Sequence, residues 1–251
     1  MAIDSHMHIN HLVYSNPIDE IQQINKNIQI EKVINVGLDY QTSKEAVSIA
    51  SLNQKFFSSV GVHPLYVDKQ NLEYLYTLAS HDKVVAIGEI GLDNSKDNIL
   101  WQKIYFIEQI MIANDLGLPV IIHSNNMNKE IFEVFEKHIK PLYGCVFHCF
   151  QPDIEDLKYI IDHGYYISFA GKITYQNAKK SIEVARMVPD NLFLVETDSP
   201  YIPIGPFKEK NNHTSLIHYI ISKLSEVKEK SYEEIEQLTT NNTKKLFQKM
   251  K

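Results

Sequence analysis

Arginine is nearly missing from this chain of 251 residues: Arg186 stands alone, and lysine supplies almost all the positive charge. The guanidinium is the planar, bidentate partner for phosphate, so a phosphate grip here has to come from lysine, histidine or backbone groups. The formal net charge of -6 argues further against a broadly basic nucleic-acid-binding surface. Cysteine is scarce too. Cys145 and Cys149 share one short apolar segment, and a strand with that spacing keeps them apart, which predicts reduced core thiols. No apolar run approaches the ~20 residues of a membrane span, and the opening residues are too polar for a secretory leader. The expectation is a soluble, cytoplasmic protein with no membrane partner. Nothing in the sequence points to a stable protein partner.

Short-period repeats, low-complexity tracts and linkers are also missing. What remains is a steady alternation. Strand-like runs read AIDSHMH (2–8), EKVINVG (31–37), FFSSVGV (56–62), VVAIGEI (84–90), PVIIHS (119–124), GCVFHCF (144–150), YYISFAG (165–171) and LFLVETD (192–198). Between them lie amphipathic patterns such as IDEIQQINKN, SKEAVSIASLNQ, NLEYLYTLASH and IEDLKYIIDHG. The longest, DNILWQKIYFIEQIMIANDLG, runs into Gly117-Leu118-Pro119, a helix stop. Two more helical patterns, SLIHYIISKLSEV and SYEEIEQLTTNNTKKLFQK, close the chain. Eight strands alternating with helices over about 250 residues predict an α/β fold, a (β/α)8 TIM barrel forming a single domain over 1–251. An open doubly wound sheet is the alternative, but no glycine-rich first turn supports it.

A barrel places its functional residues at the C-terminal ends of the strands. The polar residues fall there. The first run carries His6 and His8, the third leads into Gly61-Val62-His63-Pro64, and the fourth reaches Glu89. The fifth ends at His123, the sixth near His148, and the eighth at Asp198. Any one histidine on an apolar strand is more often a satisfied core residue, and Glu89 alone could be a rim ion-pair partner. Six such groups at the same end of five strands, with His63 after a sixth, call for a charge partner, and imidazole with carboxylate suits Zn, Mn, Fe or Co, while the carboxylates can also hold Mg. Six ligands exceed the needs of one tetrahedral Zn and suggest two ions sharing a carboxylate, with a single ion and spare acid–base groups as the alternative.

The segments DSHMH, GVHP, AIGEIGLD, LPVIIHS, FHCF, YYISFAGKIT, LVETDSPY and TTNNTKKLF together resemble the TatD family of metal-dependent hydrolases, in that family's order and along nearly the whole chain. The first motif alone marks only the wider amidohydrolase superfamily; GVHP, GEIGLD and ETDSPY are far more specific. The resemblance implies a barrel with divalent metal ions, two per chain, of the Zn, Mg or Mn kind. His6, His8, Glu89 and Asp198 would hold one, and Glu89, His123 and His148 the other, with Glu89 bridging. It implies hydrolysis of phosphodiester bonds in nucleic acid, DNA first, as a deoxyribonuclease that trims strand ends with a metal-activated water. Asp198 and Glu89 would be catalytic, and His63 would lie near the substrate phosphate.

The departures fall on the phosphate grip. Where the family usually reads HSRDA, this chain has His123-Ser124-Asn125-Asn126-Met127. Where it reads close to RGKRNEP, the chain has Lys208-Glu209-Lys210-Asn211-Asn212-His213-Thr214, and Gln151-Pro152 replaces Ser-Gly after the sixth strand. Lys172 follows the seventh strand, where barrels often bind phosphate, and joins Lys208 and His63 as a candidate substrate-binding residue. Tyr66, Phe150, Tyr175 and Tyr201 also follow strand ends and could stack on bases, though such rings more often wall a pocket. Asp4 and Glu196 each precede a candidate ligand by two residues and are expected to orient His6 and Asp198. The rival readings are a small-molecule ester or amide hydrolase or deaminase on the same metal site, and a non-catalytic binding protein. The thinned arginines favour the first; the intact ligand set speaks against the second.

Overall fold

The computed structural model describes residues 1–9, 16–67, 71–207 and 211–250. Each of the eight expected runs forms a strand, and the strands pair in parallel and in chain order within one sheet. They are β1 (Ala2–Met7), β2 (Ile30–Val36), β3 (Phe56–Val60), β4 (Val84–Asp93), β5 (Val120–Asn125), β6 (Cys145–Phe147), β7 (Tyr166–Phe169) and β8 (Phe193–Val195). The sheet closes on itself through a single parallel bridge between Met7 and Ser199. Two backbone bonds reinforce it, His8 N–H to Ser199 O at 2.8 Å and Asp198 N–H to His6 O at 2.9 Å. The (β/α)8 barrel is therefore as the alternation predicts.

The helices are α1 (Pro17–Lys26), α2 (Tyr40–Leu52), α3 (Tyr74–Ala79), α4 (Ile99–Leu116), α5 (Asn128–Lys137), α6 (Ile154–Asp162), α7 (Lys179–Met187), α8 (Ile217–Lys228) and α9 (Tyr232–Leu246). Gly117 ends α4 in the left-handed conformation that a Cβ disfavours, returning its N–H to Ala113 and Asn114. Among the described residues no helix is long and apolar enough to cross a membrane. Both cysteines are free thiols.

Apolar side chains form two bodies. The larger fills the space between the strands and the helices. The smaller takes at least one residue from every strand: Ile3, Ile34, Phe57, Val85, Ile121, Val146, Tyr166 and Leu194. A cluster drawn from all eight strands is the barrel's interior, sealed by Leu246, Phe247 and Met250 at the end of the chain. His6, Glu89, His123, His148 and Asp198 all follow their strand's member of this plug by a few residues, at ~3.3 Å per residue. The polar rim stands directly on an apolar floor.

β6 and β8 are the shortest strands, three residues each. β6 stops before Cys149 (φ 43°) and β8 before Asp198 (φ 52°), where a left-handed residue breaks the extended ladder. β4 instead runs past Glu89 to Asp93, staying paired with β5.

Candidate metal centre

Glu89 is the hub of the rim. Its Oε2 lies 3.3 Å from His6 Nε2 and 3.7 Å from His8 Nε2. Its Oε1 lies 2.8 Å from His123 Nδ1, 2.9 Å from His148 Nε2 and 3.5 Å from His63 Nε2. One carboxylate thus turns each oxygen toward a different set of imidazoles. Asp198 Oδ1 completes the first set, 3.5 Å from His8 Nε2 and 3.8 Å from His6 Nε2, while those two nitrogens are 3.0 Å apart. The His6 and His148 rings stack at 4.0 Å between centroids, joining the halves. Above them opens a cavity of about 430 Å³ bounded by His8, His63, Glu89, His123, His148 and Asp198, with Leu38, Leu65, Tyr66 and Tyr201 as its upper walls.

The local sequence explains how these side chains are aimed. Gly91 faces His123 across the β4–β5 ladder with φ +148°, and a Cβ there would sit 1.9 Å from the His123 carbonyl oxygen. Only glycine lets β4 lie close enough to hand Glu89 to His123. From outside the barrel, α4 reaches in with two buried glutamines. Gln109 accepts from Val62 N–H and donates to Val62 O, fixing the backbone just before His63. Gln102 makes the same pair with Asp93, accepting from its N–H and donating to its carbonyl. Asp93 in turn places Oδ2 2.9 Å from His123 Nε2 and takes Ser95 and Asn125 bonds on Oδ1, so His123 presents Nδ1 to the centre.

The donor chemistry fits divalent metal. Three overlapping groups, His6/His8/Asp198, His6/Glu89/His148 and His63/Glu89/His123, each hold their nitrogen and oxygen atoms within 4.8 Å of one another. Buried carboxylates and imidazoles at this density need a cation, because uncompensated buried charge is costly. Comparison with known proteins agrees. The family described as TatD related DNase matches residues 3–248. The chain belongs to that family. It is 33% identical to the uncharacterized metal-dependent hydrolase YabD of Bacillus subtilis, over 98% of this chain and 99% of the relative. It is 31% identical to the uncharacterized metal-dependent hydrolase YcfH of Escherichia coli, over 98% and 95%. The crystal structure of the TatD homologue YjjV from Escherichia coli superposes with a TM-score of 0.89 at 27% identity, covering 98% of both chains.

In this TatD family member the electrostatics follow from crowding charge under a rim. Burial alone would raise Glu89, yet His148, His63 and the His123 and His148 hydrogen bonds hold it well below its ordinary value. Asp198, likewise buried, is kept low chiefly by His8. Burial works against a charged His148, but Glu89 and Glu196 lift it well above the usual imidazole range. His8 is raised by Asp198 and His123 by Asp93 and Glu89, both against burial. His6 and His63 go the other way: burial outweighs their carboxylate neighbours and lowers both. Metal-free, these shifts favour the charged forms of His8, His123 and His148 beside the ionised carboxylates.

All six expected ligands come together, and His63 joins them inside the donor cluster rather than above it. The TatD rim corrects two expectations. Glu196 does not orient Asp198: it accepts from Cys149 N–H and Ser168 Oγ–H and faces His148 Nδ1 at 3.3 Å. Glu196 shares the barrel interior with Asp198, but its partners come from the seventh strand and the loop after β6. Asp4 holds Thr197 more than His6, taking bonds from its N–H at 2.9 Å and its hydroxyl at 2.6 Å, with the His6 N–H at 3.4 Å. Lys172 lies on the 171–174 turn with an exposed side chain and is not among the cavity's lining residues. Lys208 lies outside the described residues. Asn212 donates to Thr197 O and Ile202 O, both at 2.6 Å, and His213 pairs with Glu20 of α1 at 2.9 Å, so these two residues brace the loop after β8. Tyr66 and Tyr201 line the cavity; Phe150 and Tyr175 do not. Asp93, Gln102 and Gln109 had no part in the sequence reading. Their only sequence signal is a pair of glutamines seven residues apart on a helix rich in apolar residues, beside the motif GEIGLD.

Proposed function

We propose that this TatD family member is a metal-dependent hydrolase that cleaves phosphodiester bonds in nucleic acid, DNA in the first place, on two divalent ions bridged by Glu89. The observation that carries this reading is the division of the Glu89 carboxylate, one oxygen toward His6 and His8 and the other toward His63, His123 and His148, at the floor of an open cavity. His6, His8, Glu89 and Asp198 would hold one ion and Glu89, His123 and His148 the other. When bound, such a pair polarises a phosphoryl oxygen and acidifies water.

The chain's own groups supply the rest. Asp198 stays ionised, so its carboxylate can take the proton of an attacking water while His8 keeps it aimed into the cavity. His63 accepts the Leu65 N–H on Nδ1, which leaves its proton on Nε2 beside the cavity. A neutral imidazole in that tautomer donates a hydrogen bond to a substrate oxygen. Glu196 and Asp93 hold His148 and His123 in register from behind.

The test is incubation of the protein with end-labelled single-stranded DNA, and with RNA, in Mg or Mn, with and without chelator, alongside Glu89→Ala and Asp198→Asn. Chelator-sensitive cleavage that both substitutions abolish is expected. One observation favours a second reading, ester or amide hydrolysis of a small molecule: no lysine or arginine stands among the described residues lining the cavity. Intact nucleic acid with metal-dependent cleavage of a small ester would transfer the assignment to it.

A further inference from the structure

The cavity above the metal centre has an anionic and imidazole floor and an aromatic mouth. Tyr66 stands on the short turn after β3 with its ring edge-on to His63 at 6.1 Å, and Tyr201 follows β8 with its ring edge-on to His8 at 5.3 Å. The two rings therefore sit over opposite halves of the donor cluster. They are 49% and 45% exposed, unusually open for rings bordering a buried site, and Leu38 and Leu65 extend the same wall. Both rings line the same cavity.

Charge narrows what this mouth can hold. Nucleic-acid grips built on lysine and arginine neutralise several phosphates and lose affinity steeply in salt. Here the described lining offers no such cation, Lys172 is outside it, and the chain has one arginine. The Tyr66 and Tyr201 rings, with Leu38 and Leu65 beside them, remain as the surface able to hold an organic group. The volume, about 430 Å³, is near the lower end of small-ligand pockets, enough for one ring-bearing unit.

We infer that Tyr66 and Tyr201 form an aromatic clamp for the nucleobase adjoining the scissile phosphate, and that stacking on this clamp, not cationic contact with flanking phosphates, supplies most of the substrate affinity. The inference rests on the nucleic-acid reading of the site, and names how that substrate is held.

The experiment measures binding, not turnover. Mn-loaded protein is titrated by calorimetry with thymidine monophosphate and with deoxyribose phosphate, which lacks the base, at low and moderate salt. The base is expected to tighten binding by about 5- to 150-fold, with a salt dependence no steeper than one phosphate contact gives. Tyr66→Ala and Tyr201→Ala should each erase much of that preference without weakening deoxyribose phosphate, whereas Tyr66→Phe and Tyr201→Phe should keep it. Equal affinity for the two ligands, alanine variants that retain the preference, or a steep salt slope overturns the clamp. DNA left uncut by a protein that still prefers the base refutes the nuclease and spares the clamp. DNA cut by a protein without that preference does the reverse.

Discussion

Asp4 and Thr197 are joined twice across the seam where the barrel closes, the threonine N–H donating to Oδ1 and its hydroxyl to Oδ2. The pair adds to a short join: one bridge, Met7 to Ser199, with the His8–Ser199 and Asp198–His6 backbone bonds and the Ser5 hydroxyl donating to Val195 O. His6 and His8 lie on one side of it and Asp198 on the other, so the ligands of one proposed ion straddle the weakest join in the sheet. Asp4 is fully buried, and burial raises its carboxyl to about 7 against the opposing pull of the Thr197 bonds.

That shift fixes a pH dependence. Between the ordinary value of 3.8 and about 7, native Asp4 keeps a proton that the unfolded chain has released. Stability from this group is therefore complete at low pH and falls as pH rises through the window, by about 4 kcal/mol in all. Asp4→Asn keeps hydrogen-bonding groups for Thr197 and removes the titration. In urea unfolding of metal-free protein, the wild type should lose about 4 kcal/mol more than the variant between about pH 4 and about pH 8. Parallel profiles would show that Asp4 does not carry the effect.

Gly91→Ala should be far more damaging than a routine glycine substitution. Gly164 also has a positive φ, +68°, but a Cβ there meets nothing within 4 Å, so Gly164→Ala costs backbone strain alone, about 1–2 kcal/mol. At Gly91 the added carbon would press on the His123 carbonyl, forcing β4 and β5 apart where Glu89 and His123 meet. The expected result is a melting temperature well below that of Gly164→Ala and metal content reduced in Gly91→Ala only. Equal stabilities with full metal content would contradict it.

The candidate ligand residues were legible as a cluster because each ends an apolar run at a place where a barrel exposes side chains, and because polar residues there have no bland explanation in common. Their supports were not. Glu196 sits two residues before Asp198, and alternation assigned it to that neighbour; its partner His148 follows another strand, which only the folded barrel brings alongside. Asp93 was visible inside GEIGLD, but its partner His123 comes from another strand, and only the β4–β5 register brings them together. The helix period marks α4 as amphipathic; it does not say that Gln102 and Gln109 reach the backbones of Asp93 and Val62. Lys172 stands exposed on the 171–174 turn and is not among the residues lining the cavity; position in the chain alone does not say which way a long side chain turns.

Asp93→Asn should weaken metal binding more than it weakens the fold. A carboxylate behind a ligating imidazole fixes its orientation and raises its basicity, and removing it typically costs about 10- to 100-fold in metal affinity. Asparagine still offers Oδ1 to Ser95, so the turn at 93–95 should hold. Competition with a chromophoric chelator measures the affinity, and thermal unfolding of the metal-free protein checks the fold. Unchanged affinity would mean that the Asp93 contact leaves His123 no better a ligand.

Metal uptake should expel protons. His8, His123 and His148 are all held above the ordinary imidazole range by their carboxylate neighbours, against burial. A protonated imidazole has no lone pair for a cation, so each must lose its proton before it can serve as a ligand. Glu89 and Asp198 are held low and stay ionised, contributing none. The sign is then fixed: apparent metal affinity rises with pH until those histidines are neutral in the metal-free protein. Calorimetric titrations with Zn or Mn, in two buffers of different ionisation heat and over a series of pH values, should show net proton release that declines as pH rises. A metal affinity flat from about pH 6 to about pH 8 would mean that these histidines are already neutral, and that some other cation balances Glu89 in the empty protein.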